Sequence, residues 1–258
     1  MQAEITTGSL PEVKEIEFTR PLAWLAGGWS DFRRALLPCL AYGLALAIVS
    51  LAFILGILFS GAATWLMVFL GGFVFLAPLI AMGLYEAGRR LEVGQVPSLP
   101  QMIFVKTASA RDLAYLGLAL CIIYFFWTRM AQLVYALSTF TLHETVQDFL
   151  TFMLTTDGGR MMALTGTGIG AIIGFIAYCL VVVSAPMLLE RKSDVFVATV
   201  TSVRSVAKNP GAMVFWAALI AGLVALGLVT AGLGLIVIFP VIGLASWRAY
   251  RDLVEVPL

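Results

Sequence analysis

Long runs without a charged residue alternate with short polar stretches along this chain, and the runs set its architecture. No Lys, Arg, Asp or Glu occurs between Arg34 and Glu86, between Arg160 and Glu190, or between Lys208 and Arg248. A fourth apolar segment, Leu113 to Leu142, holds only Arg129. A helix that crosses a bilayer needs about 20 apolar residues for a hydrocarbon core about 30 Å thick. The first and third gaps therefore hold two spans each, and the other two segments one each. That predicts six transmembrane helices, at about 36–60, 64–85, 113–139, 162–186, 211–229 and 233–249. Ser60-Gly61-Ala62 and Thr230-Ala231-Gly232 read as tight turns that close two helical hairpins.

The pattern also repeats. Pro78-Leu-Ile-Ala-Met-Gly-Leu-Tyr85-Glu-Ala87-Gly-Arg89-Arg-Leu91 lies over Pro240-Val-Ile-Gly-Leu-Ala-Ser-Trp247-Arg-Ala249-Tyr-Arg251-Asp-Leu253 without a gap, and Gly72 falls on Gly234 in the same register. Upstream, Leu25, Trp29, Phe32 and Leu36 have the spacing of one helix face, and Phe196, Val200, Val203 and Ala207 reproduce it. Each unit reads as an amphipathic cytoplasmic helix, a hairpin of two spans and a Pro…aromatic…Arg exit. Pro186, with Ser98-Leu-Pro100 upstream, marks a degenerate third copy. The expected organisation is a tail over 1–20, a transmembrane domain over 21–253 with units at about 22–94, 98–190 and 193–253, and a short tail over 254–258. Parallel repeats of this kind occur in transporters, but duplication produces them in other membrane proteins too.

Charge gives the orientation. Lys14, Arg20, Arg33, Arg34, Arg89, Arg90, Lys106, Arg111, Arg191, Lys192, Arg204, Lys208, Arg248 and Arg251 all fall on one side of the predicted bundle, leaving Arg129 and Arg160 for the other. Cytoplasmic loops carry the Lys/Arg excess, so both termini are expected inside. The N-terminus is acidic and lacks the basic start and early apolar run of a signal peptide, so the first span is expected to direct insertion. Composition agrees with a membrane class: 61% of the 258 residues are hydrophobic and 12% charged, against about 45–50% and about 25% in soluble domains. A net charge of +1 offers nothing to nucleic acid. The fold class is thus an all-α membrane protein of six spanning helices, with pseudo-repeated hairpins each preceded by an amphipathic cytoplasmic helix. On the outer side, Thr141-Leu-His-Glu144 has the form of a capping box, and Val146, Phe149, Leu150 and Met153 share a face of a short interfacial helix.

Candidate chemistry is sparse. The single histidine, His143, cannot supply a bis-His haem. The carboxylates lie outside the spans or at their ends, so neither a mid-membrane relay nor a buried ion pair is expected. Cys39, Cys121 and Cys179 read as small hydrophobes without CxxC spacing. No catalytic residue, metal site or cofactor follows. Gly166, Gly170 and Gly174 recur every four residues, a small-residue face for helix packing. Pro78, Pro186 and Pro240 are candidate kinks. Arg129, the one charge inside a span, reads as an anchor that reaches the outer headgroups, with Trp127 in the same interfacial belt; the alternative is a site for an anionic group or a partner. Tyr85 with Arg89, and Trp247 with Arg251, read as the cytoplasmic belt, candidates for contact with lipid headgroups or a partner.

The C-terminal segment from Pro240 to Leu253, with Gly28-Trp29-Ser-Asp31-Phe and Gly83-Leu-Tyr-Glu-Ala-Gly-Arg-Arg-Leu-Glu92, resembles a family of bacterial integral membrane proteins of unknown function. The resemblance covers roughly residues 20–253. Members often carry His after the tryptophan, where this chain has Arg248. Automated naming has sometimes related them to cytochrome oxidase, for which these residues offer no haem ligands. The resemblance implies a multi-pass protein of the bacterial inner membrane with no established activity. The expectation from residues and resemblance together is a non-catalytic accessory, assembly or scaffold component, in contact with membrane lipids and other membrane subunits. The alternative is a transporter or channel for a small or lipidic solute.

Overall fold

The computed structural model describes residues 10–60, 72, 75–143, 145–230 and 232–255. The turn at Gly61-Ala62, residues 64–71, 73 and 74 of the second predicted span, Glu144 and Ala231 lie outside the described residues. Among these residues the helices are α1 (Arg20–Arg34), α2 (Leu36–Ser60), α3 (Met82–Glu92), α4 (Leu99–Ile103), α5 (Ala110–Ser138), α6 (Val146–Thr155), α7 (Asp157–Val181), α8 (Ser184–Glu190), α9 (Val195–Lys208), α10 (Pro210–Val229) and α11 (Leu235–Leu253). Residues 75–80 are also helical and lead into α3. Local sequence sets the ends. Pro21, Pro100 and Pro210 sit in first turns, where a missing N–H costs nothing. Thr145, Thr156 and Asp194 accept from backbone N–H groups of α6, α7 and α9. Gly94, at φ 77°, lets the chain turn out of α3. The outer cap is Thr145 with Asp148, four residues beyond the expected Thr141 box; Thr141 instead exchanges hydrogen bonds with Thr139.

Among the described residues, four helices are long and apolar enough to cross a membrane: Leu36–Gly56, Ala110–Ser138, Asp157–Glu190 and Pro210–Val229. They coincide with the first, third, fourth and fifth predicted spans. At about 1.5 Å per residue, the 34 residues of the third candidate exceed a hydrocarbon core of about 30 Å by some 20 Å. Its C-terminal part, α8, is accordingly buried in protein. The chain ends where it began. Val13 and Val254 form an isolated β-bridge, the Lys14 N–H donates to the Leu253 carbonyl and the Glu255 N–H to the Glu12 carbonyl. The first and last described segments therefore lie together at one end of the bundle.

The helices that return to this end are interrupted, and each interruption is filled. Leu84 N–H bonds the Ala81 carbonyl, one residue short of the α-helical partner, which frees the Ile80 carbonyl for the Tyr42 hydroxyl. Between α7 and α8, the Ser202 hydroxyl stands where an i to i−4 bond would run: it accepts from Val183 N–H at 3.1 Å and donates to the Cys179 carbonyl at 2.8 Å. Insertion of a side chain into the ladder is a recognised cause of bends. Pro240, inside α11, has no N–H for the Ile236 carbonyl. Gly43 of α2 packs directly on that carbonyl, where a Cβ would collide with it.

α11 is the hub, touching α1, α2, α3, α8 and α10. Between spans the lipid is as apolar as Leu, so close van der Waals contact rather than water exclusion holds helices together. Gly28 illustrates this: a Cβ there would lie 2.7 Å from the Val241 carbonyl oxygen and 2.8 Å from Ala245 Cβ. The buried face of α1 is Trp24, Gly28, Asp31 and Phe32, and that of α9 is Ala198, Thr201, Ser202, Ser205 and Val206. This departs from the stripe read in the sequence. Phe32 is buried, but Trp29, Leu36, Phe196, Val200 and Val203 face outward. Both sides of these helices are partly apolar, so periodicity alone could not say which side met protein.

Candidate functional site

The exits α3, α8 and α11 converge at the end that holds the first and last described segments, and the charges there are interlocked. Glu86, with a side chain only 3% exposed, receives both Arg89 Nε (2.8 Å) and Arg90 Nε (2.7 Å). Arg251 bridges two carboxylates, with Nε on Glu92 at 3.0 Å and Nη1 on Glu190 at 2.9 Å. Tyr250 donates its hydroxyl to the other Glu190 oxygen at 2.6 Å, and Trp247 Nε1 reaches Glu92 at 3.3 Å. Arg191 lies over the Tyr250 ring, 5.7 Å from its centroid. α1 closes the other flank: Arg248 grips both oxygens of Asp31, at 2.6 and 2.8 Å, and Asp31 is 5% exposed. Arg20 and Trp24 both donate to Asp252. Partial burial pushes the Asp252 carboxyl up, but these hydrogen bonds and the Arg20 charge outweigh it and hold the group below its ordinary range.

Bidentate Arg–carboxylate pairs combine charge with fixed geometry. Here they join segments distant in sequence, Asp31 to Arg248 and Arg20 to Asp252, and single bonds from Arg251 add Glu92 and Glu190. Sequence reasoning expected no buried ion pair, because these carboxylates fall just beyond the apolar runs. The helices, however, continue past the runs and pack on one another there, so Glu86 and Asp31 are enclosed by protein rather than left in water. The signal that could have found them is the spacing Glu86-x-x-Arg89-Arg90, one helical turn apart.

The belt residues turn inward. Tyr85 and Trp247 are buried, Trp247 against Gly88. Arg89 and Arg251 are committed to carboxylates. Trp127, expected at the lipid interface, is buried between α5 and α7, and its ring is where a Cβ on Gly170 would make contact at 3.0 Å. Arg129 is exposed and donates to Gln132, one turn along α5, while Asp148 and Asp157 engage Thr145 and Arg160. Arg129→Lys is therefore expected to leave membrane levels and thermal stability unchanged, since no bidentate partner depends on the guanidinium. An unfolding temperature as low as that of Arg129→Ala, if that variant is itself impaired, would point to a binding role.

The three glycines of the stripe differ in surroundings. Gly170 faces Trp127, a Cβ on Gly166 would lie 4.0 Å from Val134, and a Cβ on Gly174 would meet nothing within 4 Å. Gly174→Ala should then be neutral or gain up to about 1 kcal/mol from helix propensity. Gly170→Ala should lose stability, because the indole has to move. Thermal unfolding of the two variants in detergent distinguishes them.

A family model described as "Predicted integral membrane protein (DUF2189)" matches residues 66–190, the stretch that contains Glu86, Arg89, Glu92 and Glu190. No curated protein and no solved structure matches the chain. Similarity to this family over residues 66–190 and the apolar helices of spanning length make the chain a multi-pass integral membrane protein.

Proposed function

We propose that the chain is a six-span scaffold of the bacterial inner membrane, a non-catalytic accessory or assembly component on which other membrane subunits dock, with both termini in the cytoplasm. The observation that carries this reading is how its polar groups are used. Asp31, Glu86, Glu92, Glu190 and Asp252 each accept from arginine, tryptophan or tyrosine donors, most of them across helix contacts. Such a layer fixes the helix ends rigidly and commits its carboxylates to structure. Fourteen basic residues on the side of this layer support the orientation. The repeat is supported by contacts that advance in step, Leu84 with Gly243, Gly88 with Trp247 and Glu92 with Arg251, so that α3 and α11 run parallel. Transport has one observation in its favour, the interrupted exits, since broken helices build solute sites in transporters. Tyr42 and Ser202 already occupy two of the freed carbonyls, which favours the scaffold.

Purification from native membranes in mild detergent tests the role. A membrane subunit should co-purify in constant proportion, and isolation of the bare protein from several growth conditions would refute the reading. Single cysteines in a cysteine-free background test the topology. Pro97→Cys and Ser193→Cys should label from the cytoplasm, and Gly61→Cys, Asp157→Cys and Ala231→Cys from outside. Position 231 inaccessible from both faces would reduce the last hairpin to a re-entrant loop and the spans to four.

A further inference from the structure

The cations at the charged end fall into two sets. One set is paired with carboxylates of the protein: Lys14, Arg20, Arg34, Arg89, Arg90, Arg191, Lys208, Arg248 and Arg251. The other is Arg33, Lys106, Lys192 and Arg204, all exposed and, among the described residues, without a carboxylate partner; Arg111 also lacks a carboxylate but is engaged by the Tyr115 hydroxyl and ring. Their neighbours share one property. Arg33 follows Trp29 by a turn of α1 and precedes Leu37, which is 80% exposed. Lys106 follows Phe104, 79% exposed, and Ile103. Lys192 precedes Phe196, 77% exposed, by four residues, and Arg204 follows the outward Val200 and Val203.

Water does not explain aromatic and aliphatic side chains held outward on helices that also have a buried face. A bilayer does. The outward stripe of α1 runs into Leu36 and Leu37 at the start of the spanning helix α2, and that of α9 leads toward the exposed Val214 of α10. Apolar side chains with a cation one to four residues away are the composition of an interfacial segment: the body enters the acyl region while the charge meets headgroups. A protein partner would have to cover outward apolar groups on α1, in the loop after α4, and along α9 with the loop that leads into it. The leaflet reaches all of them at once.

We propose that Arg33, Lys106, Lys192 and Arg204 form a ring that binds the headgroups of anionic phospholipids in the surrounding leaflet, while the inner arginines hold the fold. This reassigns lipid contact from the paired Arg89 and Arg251 to cations whose charge is uncompensated. It rests on the charged end lying in a leaflet interface and is independent of whether a protein partner exists, so the co-purification test can fail without affecting it.

The experiment is lipid retention. Full-length protein is reconstituted in vesicles of equal parts phosphatidylcholine and phosphatidylglycerol, extracted gently, and its bound lipids are counted by native mass spectrometry. The wild type should retain phosphatidylglycerol selectively. Each cation changed to Gln should weaken that preference about fivefold, and the variant R33Q/K106Q/K192Q/R204Q should abolish it. Arg160→Gln, at the other end, should not alter it. Because the fourfold variant has a folding risk, the wild type carries a second arm: molar salt should erase the preference, and soluble glycerol phosphate should not reproduce it. Equal retention of both lipids by the wild type, a salt-insensitive preference, or one undiminished in a folded fourfold variant overturns the proposal. Equal retention of soluble glycerol phosphate also overturns it, since the ring would then serve a free phosphate rather than a membrane.

Discussion

Arg248→Ala should destabilise the purified protein by about 2–3 kcal/mol, more than the loss of any other cation in the chain. The reason lies in its partner. Asp31 has a side chain 5% exposed, packed where α1 crosses α11, and both its oxygens are held by Arg248. Removing one member of a buried pair leaves the other charged and desolvated, at a cost of about 3–5 kcal/mol. Arg248 is itself 43% exposed, so water screens part of the interaction and the lower range applies. Arg34, which lies 3.7 Å from Asp31, offers only a long and exposed substitute. Arg20→Ala makes the contrast. Its pair with Asp252 is 52% exposed on the arginine side, and Trp24 continues to donate to the carboxylate, so no more than about 1 kcal/mol is expected. Thermal and urea unfolding in a fixed detergent measures both. In the double variant Asp31→Asn with Arg248→Ala, the stranded charge disappears and the loss should be smaller than for Arg248→Ala alone. If the double variant is the worse of the two, the pair is not what makes this contact costly to break.

The membrane character of the chain was legible from charge-free runs because desolvating a charge in hydrocarbon is costly, and that constraint writes itself into sequence. Four of the predicted spans correspond to helices able to cross, and α6 forms in the expected segment, its cap four residues past the expected Thr141. Legibility failed where the deciding factor was a neighbour rather than a solvent. Trp127 has the composition of a belt residue, and only the approach of Gly170 on another helix makes it interior. Tyr85 and Trp247 sit beside arginines as belt aromatics do, yet the helices extend beyond the apolar runs and enclose them. On α1 the outward and inward sides are both partly apolar, one for lipid and one for protein, and helical periodicity treats them alike. The charged layer was hidden for the same reason. Asp31 and Arg248 are 217 residues apart, and nothing local to either names the other.

Ser202 carries the second large effect, because a single hydroxyl satisfies two backbone groups in the interior. Val183 N–H and the Cys179 carbonyl are the natural partners of one helical turn, and Ser202, 0% exposed, stands between them. Ser202→Ala leaves two choices. The two groups can stay apart and unpaired, at about 1–3 kcal/mol each. Alternatively the turn can close and restore the direct bond. Pro186 argues against closure: its ring would press on the Val182 carbonyl if the helix straightened. Straightening would also carry Glu190 away from Arg251 and Tyr250, undoing the charged layer at α8. The expected loss is therefore about 2–4 kcal/mol in unfolding free energy. Ser202→Thr, which keeps the hydroxyl but adds a methyl to a filled site, should lose less. Adding Pro186→Ala to Ser202→Ala should restore part of the stability, because the obstacle to closing the ladder is gone. A Ser202→Ala variant as stable as the wild type, with the Glu190 contacts retained, would mean that the hydroxyl follows the bend rather than sustaining it.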